Sequence, residues 1–581
     1  RNEDGAARGD LDIFGNLTII GSGVTETIID AAGLDRVFHV LPGAQLNLKN
    51  LTIRGGSEVR GGGILNQGVL TLENVVVEDN TADFGGGVFN DLVEDRLATT
   101  SLTATDVTLT VLDGSRYPST GGFDIRIDAE ELRVTTVNGS DYFVTRGVNG
   151  TTAAPHILDT RIELVQSMTV VDSTIRSNES RLQGGGLFNL NELTITRSVF
   201  TTNSSNAHGG GLFNESAIAS ASTEIVDTTF DANYAHGAGG GIYNSTSQFG
   251  SSRIDIRSST LSRNEAGAKG GAIYNNDRLD ILNSTISTNL AQATAAGIYN
   301  VGTGTSNGVV TITNSTLLDN TVDGTGGGIV NVSGSNTVTI RNSIVAGNTG
   351  PRGNNDLDGS FISSGANFIG DAGDSVGFEN GVNLDAVGTT GSPFDPVVGP
   401  LQDNGGPTQT HALLAGSPAV DAGDNSGGEP VDQRGGRRPT DSTADIGAFE
   451  VQENRLSINE VRLAEGTNGS TLFVFTVLLE TATAEPVSVD FTTVQATAKA
   501  GSDFLSTFGT LNFAPGDLTQ TIVVEVNGDT TPEDTEAFKV RLTNPVNAVL
   551  IGSTCPDDPN LECDPIDPDA PQSAIEARGI I

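Results

Sequence analysis

Short stretches of alternating apolar and polar residues recur along most of the chain, and they predict β-strands. Leu193-Thr194-Ile195-Thr196 and Thr311-Ile312-Thr313 are typical, with apolar side chains at every second position and Thr between them. A period of two places alternate side chains on opposite faces of a strand. Amphipathic segments with the 3.6-residue period of an α-helix are almost absent from the sequence. We therefore expect an all-β chain.

A glycine motif ending in Asn sets the spacing of these strands. Its eight copies lie 24 to 31 residues apart except across one longer gap, and they begin at Gly61, Gly85, Gly184, Gly209, Gly239, Gly270, Ala295 and Gly326. In the last six copies the closing Asn lies eleven residues after an earlier Asn, as in the pair Asn233 and Asn244. A large apolar residue precedes that earlier Asn by three positions, and all length variation falls after the motif. Such a fixed register predicts a solenoid.

The solenoid that best fits this register is a right-handed parallel β-helix. Each coil of that fold stacks its apolar side chains about 4.8 Å above those of the previous coil and pairs its backbone with its neighbours. Gly allows sharp corners, and Asn tolerates turns while its amide bonds the next coil. We interpret the repeated Asn residues as structural. One corner accepts insertions, at residues 215–223, 245–253 and 301–308.

Breaks in the period define the expected domains. Residues 1–96 and 166–350 are predicted to form the N-terminal and the main coils. The gap of 99 residues between Asn90 and Asn189 predicts a small β-domain, 97–165, inserted at a corner. Residues 351–452 are expected to be an irregular cap that closes the end of the β-helix. Longer strands at sandwich spacing predict an immunoglobulin-like sandwich at 453–581.

Composition narrows the classes of partner. The 581 residues carry a net charge of −41 with only four Lys, which argues against nucleic acid and anionic membranes. No run of 18 apolar residues occurs, so no membrane span is predicted. Cys555 and Cys563, the only cysteines, are either a hairpin disulfide or free thiols. A disulfide would agree with a secreted protein.

Three sets of motifs resemble known bacterial proteins. The glycine motif is similar to the repeats of polymorphic outer-membrane proteins. The segments Asp403–Leu414, Gly416–Gly423, Asp432–Gly435 and Asp445–Glu450 resemble exported β-helix proteins with a "choice-of-anchor" ending. Arg146–Ala154 resembles a module of phage tail and surface proteins. The first two resemblances imply a secreted or bacterial cell-surface protein without assigned enzymatic activity.

The C-terminal segment resembles a Calx-β domain, a calcium-binding module of sodium/calcium exchangers and bacterial surface proteins. The matching motifs are Ala464–Gly466, Ala500–Phe504, Phe513–Asp517, Asp529 and Glu533–Phe538. The resemblance implies a Ca²⁺ site with the ligands Glu465, Asp503, Asp529, Glu533 and Glu536. Gly528 stands where the family often has a second Asp, and the family's terminal acidic cluster has no counterpart before Ile581.

An enzymatic alternative rests on one outward column. Glu224, Asp255 and Asp280 occupy matched positions on consecutive coils, and Arg257 lies two residues after Asp255. Stacked carboxylates about 5 Å apart repel each other, so a raised pKa or a bound cation is expected there. These groups are the candidate catalytic residues of a polysaccharide lyase or glycoside hydrolase. Threonines continue the same column at Thr169, Thr194, Thr311 and Thr339, which is typical of a plain solvent-facing ladder.

The preferred hypothesis is therefore a non-enzymatic structural or adhesive protein. A stiff β-helix would act as a spacer with variable corner loops along one edge, followed by a calcium-binding module. The expected partners are cell-surface glycans, surface-layer components or further copies of the chain.

Overall fold

The computed structural model describes most of the chain in two compact units. The described residues are 9–98, 101–215, 222–245, 252–302, 307–350, 356–426, 429–440, 443–480, 483, 486–530, 534–554, 564–565 and 573–581. The first unit comprises Arg1–Gly436 with Asp445–Glu450, and the second comprises Arg437–Ala444 with Val451–Ile581. Nearly every regular element is a β-strand, so the predicted all-β parallel β-helix with a C-terminal sandwich is confirmed.

Sheet A holds the glycine motifs and runs along one side of the β-helix. Its 11 parallel strands are Leu11–Ile13, Phe38–Val40, Ile64–Asn66, Val88–Asn90, Leu187–Asn189, Leu212–Asn214, Ile242–Asn244, Ile273–Asn275, Ile298–Asn300, Ile329–Asn331 and Leu357–Gly359. Equivalent motif positions face each other, so that Asn244 pairs with Asn275. The glycines before each strand have no room for a side chain: a Cβ on Gly240 would lie 2.4 Å from the carbonyl oxygen of Glu265. Gly therefore allows a close approach of the coils here, although Ala296 holds the equivalent position two coils later.

Ladder B1 follows the insertion-tolerant corner. Its parallel strands are Asn16–Ile20, Gln45–Arg54, Val69–Glu78, Ser167–Val171, Glu192–Thr196, Ser222–Val226, Arg253–Arg257, Arg278–Leu282, Val309–Thr313, Thr337–Arg341 and Ile362–Ser363. Their alternate apolar residues point into the core, where Ile254, Ile256 and Leu279 are fully buried. The polar residues between them face outward, as the period of two predicts.

Ladder B2 comes next around each coil and shares the long strands Gln45–Arg54 and Val69–Glu78 with B1. Its other strands are Ile28–Asp30, Thr174–Arg176, Val199–Thr201, Thr229–Asp231, Thr260–Ser262, Thr285–Ser287, Thr316–Leu318, Ile344–Ala346, Phe368–Ile369 and Ala386–Val387. In the coils from Asn50 to Asn342 the corner between the two ladders is made without glycine. Residues in the left-handed conformation occupy it, from Asp172 (φ 49°) to Asn342 (φ 47°). Asp and Asn adopt this conformation more readily than most residues.

Sheet C completes the coil between B2 and the next glycine motif. Its eight strands are Ser57–Arg60, Thr81–Phe84, Glu179–Gln183, Ser204–Ser205, Tyr234–Ala235, Glu265–Ala266, Leu290–Ala291 and Thr321–Val322. The Asn before each of the later strands is buried and passes a hydrogen bond to the next coil, for example Asn233 Nδ2 to Asn264 Oδ1 at 2.9 Å. The second column of Asn, at the ends of the sheet A strands, does the same: Asn244 Nδ2 donates to Asn275 Oδ1 at 2.8 Å. The structural interpretation of these residues agrees with their contacts.

A small antiparallel β-barrel interrupts the coils between Asn90 and Gln166. Its strands are Glu94–Arg96, Thr108–Thr110, Phe123–Ile127, Glu130–Asn138, Asp141–Thr145 and Arg161–Leu164, with a 3₁₀ turn at Gly114–Arg116. Its two edges meet where Leu97 pairs with Val111. The module-like motif wraps a buried carboxylate, because Arg146 and the amides of Gly147 and Ala154 all donate to Glu130. Burial opposes ionisation of Glu130, but these bonds outweigh it and lower its pKa to about 2. The motif has a structural explanation.

The segment after the main coils does two things. Leu357–Gly359, Ile362–Ser363, Phe368–Ile369 and Ala386–Val387 extend the coil stack. The chain then turns back, with a hairpin of Val398–Gln402 and Thr410–Leu413, and lies against the outer face of ladder B2. Gln433 bonds Thr285 there at 2.7 Å, and His411 bonds Ser287 at 2.9 Å. Much of the predicted cap, residues 351–452, thus covers a side of the β-helix rather than its end. The exact limits of the predicted domains stay predictions.

The second unit contains two antiparallel-rich sheets. The strands of the first sheet are Thr519–Asn527, Ser470–Leu479, Arg455–Ile458 and Val549–Leu550. The strands of the second sheet are Val461–Arg462, Ala574–Ile580, Ala537–Val546, Val487–Gln495 and Phe508–Phe513. A further short pair is formed by Ser553–Thr554 and Asp564–Pro565. The buried side chains include Phe473, Phe475, Phe513 and Phe538, which belong to one apolar cluster. Cys555 and Cys563 lie outside the described residues.

Candidate functional site

Loops of the second unit bring several predicted calcium ligands together. The Asp503 carboxylate is hydrogen-bonded to Glu536, and the Asp503 carbonyl accepts the amide of Asn527 at 2.8 Å. The next residue, Gly528, packs against the carbonyls of Glu465 and Gly466. Glu465, Asp503 and Glu536 therefore lie on adjoining loops.

The two remaining ligand candidates are less defined. Asp529 follows this loop and is exposed, whereas Glu533 lies outside the described residues. The structure also accounts for glycine at position 528. A Cβ there would lie 2.8 Å from the Gly466 oxygen and 2.9 Å from the Glu465 oxygen. An Asp at this position would require the neighbouring loop to move.

The electrostatics of Asp503 fit a cation-binding loop. Partial burial disfavours its charged form, but hydrogen bonds from the Lys499 amide, Ser502 and Glu536 outweigh burial and lower the pKa of Asp503. Two neighbouring carboxyl groups on adjoining loops are suitable ligands for one cation. Oxygen donors from several loops are what Ca²⁺ prefers.

The outward column of ladder B1 forms a second cluster. Glu224 pairs in register with Asp255, and Asp255 with Asp280, as the spacing predicts. Arg253 donates to Asp255 at 2.8 Å and lies 3.3 Å from Asp280. Arg278 donates to Asp280 at 2.8 Å. Each of these two carboxylates therefore has an arginine partner.

Sequence reasoning chose a different arginine for this cluster. Arg257 lies 3.9 Å from Glu429, and no ion pair joins it to Asp255 among the described residues. The arginines that hold the carboxylates are Arg253 and Arg278, each two residues before an Asp on the same strand face. This repeated Arg-x-Asp spacing was visible in the sequence and could have identified them.

Comparison with known families defines the C-terminal module. Residues 445–554 match the Calx-beta domain model, and residues 227–245 match the Chlamydia polymorphic membrane protein repeat. The chain is a β-helix protein with a Calx-β domain. The Calx-β match covers both the Asp503 turn and the Glu536 loop. Calx-β domains are calcium-binding modules, so the predicted ligands on these loops lie within a domain of the expected kind.

Solved structures resemble parts of this chain at low identity. The CBD12 fragment from CALX1.2 is 24% identical over 22% of this chain and 43% of that chain, with a TM-score of 0.17. The apo-form Calx CBD1 domain is 22% identical over 22% and 96%, with a TM-score of 0.15. The Gp54 tailspike of Acinetobacter baumannii bacteriophage AP22, solved with a capsular saccharide, is 10% identical over 84% and 91%, with a TM-score of 0.16. The chain thus spans less than half of the CALX1.2 fragment.

Within the part of the chain that the structure describes, no helix has the length and apolar character needed to span a bilayer.

Proposed function

We propose that this β-helix protein is a non-enzymatic structural or adhesive protein of the bacterial cell surface or the extracellular medium, and that its Calx-β domain binds calcium with Asp503 and Glu536 among the ligands. The structural role is supported mainly by the buried Asn side chains, which form hydrogen bonds from one coil to the next. The repeated amides are not a binding surface, because columns such as Asn203, Asn233 and Asn264 are buried and bonded from coil to coil. Their recurrence serves the stability of the stack.

The outer carboxylates support the same proposal. A general acid or base needs a carboxyl group that is free to exchange a proton with substrate. Asp255 and Asp280 are instead held by Arg253 and Arg278 at 2.8 Å each. We infer that this column serves stability or binding rather than bond cleavage. The partners proposed are cell-surface glycans, surface-layer components or further copies of the chain.

Thermal unfolding with and without calcium tests the metal part of this proposal. We expect calcium to raise the melting temperature of the Calx-β domain, since a ligand at 100 times its Kd stabilises by about 2.7 kcal/mol. The double variant D503N/E536Q should lose that shift. E480Q is the matched control, because Glu480 is exposed and follows the end of strand Ser470–Leu479 that is remote from Gly469 and the site. An unchanged melting temperature in calcium and in chelator would contradict the proposal.

Incubation with a panel of neutral and acidic polysaccharides tests the non-enzymatic part. We expect no release of reducing ends or unsaturated products. Turnover that the variant D255N abolishes would instead establish a lyase or hydrolase that uses the Glu224, Asp255 and Asp280 column.

A further inference from the structure

A shallow groove lies on the outer face of ladder B1. It spans the strands Arg253–Arg257, Arg278–Leu282 and Val309–Thr313 and has a volume of about 210 Å³. Pockets for drug-sized ligands are commonly about 300 to 1,000 Å³, so this groove suits one small unit of a larger molecule. We call it the arginine groove.

The arginine groove presents donors and acceptors in alternation. Arg253 and Arg278 are about half exposed, whereas the side chains of Asp255 and Asp280 are 16% and 21% exposed. Arg257 also lines the groove and lies 3.9 Å from Glu429, so three arginines face three carboxylates and the groove offers directed hydrogen bonds without a net local charge. Thr311 and Thr313 add hydroxyl groups on the next coil. Such a surface matches hydroxyl groups, which both donate and accept.

The same arrangement of Arg and Asp side chains occurs on two consecutive coils. Arg253 pairs in register with Arg278, and Asp255 with Asp280, which gives two identical Arg-x-Asp units on consecutive coils. Neighbouring parallel strands are about 4.8 Å apart. A repeated recognition unit suits a polymer with repeated hydroxyl groups. The chain's net charge of −41 repels polyanions, which favours a neutral polymer.

One border of the arginine groove meets the segment that covers ladder B2. Glu429, in the segment that covers ladder B2, lies 3.9 Å from Arg257. Asn314 directly follows Thr313 and is fully buried, and neither atom of its amide group has a partner among the described residues. Its counterparts Asn283 and Asn342 on the flanking coils bond Val431 and Asp424 of that segment. The covering segment therefore closes this border through hydrogen bonds to the two flanking coils.

We propose that the arginine groove binds a neutral polysaccharide, with the two Arg-x-Asp units contacting hydroxyl groups of the sugar chain. The inference rests on the proposed adhesive function and names the site for it. Arg253 and Arg278 donate to sugar oxygens, and Asp255 and Asp280 accept from sugar hydroxyls.

Calorimetric titration of the full chain tests this site. The probes are neutral xylo-, cello- and dextran-derived oligosaccharides, with an oligogalacturonate as the anionic comparison. We expect a neutral oligosaccharide to bind, and the variant R253Q/R278Q to raise its Kd at least tenfold. The variant R253Q/D255N/R278Q/D280N should also raise the Kd at least tenfold. Because it removes the arginines together with their aspartate partners, it leaves no unpaired charge that would destabilise the fold. R197Q is the matched control, because Arg197 makes the same kind of two-pronged pair with Asp172 outside the groove.

The outcomes separate this inference from the broader function. Neutral binding that both groove variants retain would overturn the arginine groove and leave adhesion standing. Binding of oligogalacturonate alone would also overturn it. If no oligosaccharide binds, both this inference and the glycan-adhesion part of the proposed function fail, while the calcium test stays independent.

Discussion

Replacing Asp356 by Asn tests how the buried amide column ends. Asn320 Nδ2 donates to Asn348 Oδ1 at 2.8 Å, and Asn348 Nδ2 donates to Asp356 Oδ1 at the same distance. The other carboxylate oxygen of Asp356 accepts the amide of Asp371 at 2.7 Å. Burial raises the pKa of Asp356 to about 7, although these hydrogen bonds oppose the shift. The last group of the column is therefore a carboxyl that titrates near neutrality.

The sign of the pH dependence follows from the raised pKa. An unfolded aspartate loses its proton near pH 3.8, whereas the buried one keeps it to about pH 7. Stability is then greatest below about pH 4 and falls as the pH rises to about 7. The difference between the folded and unfolded pKa values corresponds to a loss of roughly 4 kcal/mol of stability. D356N removes this pH-dependent loss of stability, because Asn does not titrate. It also leaves the Asp371 amide without its acceptor, which lowers the free energy of unfolding by about 1 to 2 kcal/mol. The variant should be less stable than the wild type near pH 4 and more stable above pH 7.

Hydrogen exchange at the amide of Asn348, which donates to Asp356 Oδ1 at 2.8 Å, measures this local stability. After correction for intrinsic exchange rates, the wild-type opening free energy should fall between pH 4 and 7, and that of D356N should stay nearly level. The amide of Asn264 is the internal control, because it donates to the neutral Asn289 side chain. A wild-type value that is constant or rises with pH, or a variant that keeps the wild-type slope, would refute the reasoning.

Two further substitutions test the packing of the coils by thermal or denaturant unfolding. G240A should destabilise by about 1 to 3 kcal/mol, because its Cβ would lie 2.4 Å from the Glu265 oxygen, whereas G15A should be nearly neutral, since nothing lies within 4 Å of its Cβ. N264A should cost at least about 3 kcal/mol, because it leaves buried groups of Asn233 and Phe230 unpaired. N206A, at an exposed Asn, should stay within about 0.5 kcal/mol of the wild type. Equal effects of each substitution and its control would contradict the coil packing described above.

The coil register could be predicted because it depends on local spacing alone. Matched offsets placed Asn244 against Asn275 and Glu224 against Asp255, as the pairing shows. These features require only that each coil repeat the last one. The Asp503 and Glu536 loops were located differently, through their resemblance to Calx-β motifs.

A column of outward aromatic rings was not predicted, although its positions repeat. The residue before the closing Asn of sheet A is aromatic in six coils, at Phe89, Phe188, Phe213, Tyr243, Tyr274 and Tyr299. Successive rings stack with centroids 4.4 to 5.4 Å apart. An outward position on an isolated strand predicts exposure, yet Phe213 is only 2% exposed. Its neighbours on the coils before and after provide the burial, and no single coil contains that information.

The segment against ladder B2 also escaped prediction, for a different reason. Its contacts join residues far apart in the chain, such as Gln433 with Thr285 and Asp424 with Arg341. Its sequence carries no repeat that points to a particular face of the β-helix. The partners of Asp255 and Asp280 were missed for a simpler reason, because Arg257 was chosen over the equally spaced Arg253 and Arg278.

The buried polar columns have a direction, and their direction explains the residues at which they end. Each Asn amide in the column that runs from Asn80 donates toward the following coil, so the last member must meet an acceptor. Asp356 is that acceptor, and Asp385 plays the same part for Asn367, whose amide nitrogen donates to it at 3.0 Å. Both oxygens of the Asp356 side chain accept N–H groups, whereas an Asn in its place would turn its own N–H groups toward the Asp371 amide, which is itself a donor. The end of this part of the coil stack is therefore specified inside the core by these two aspartates.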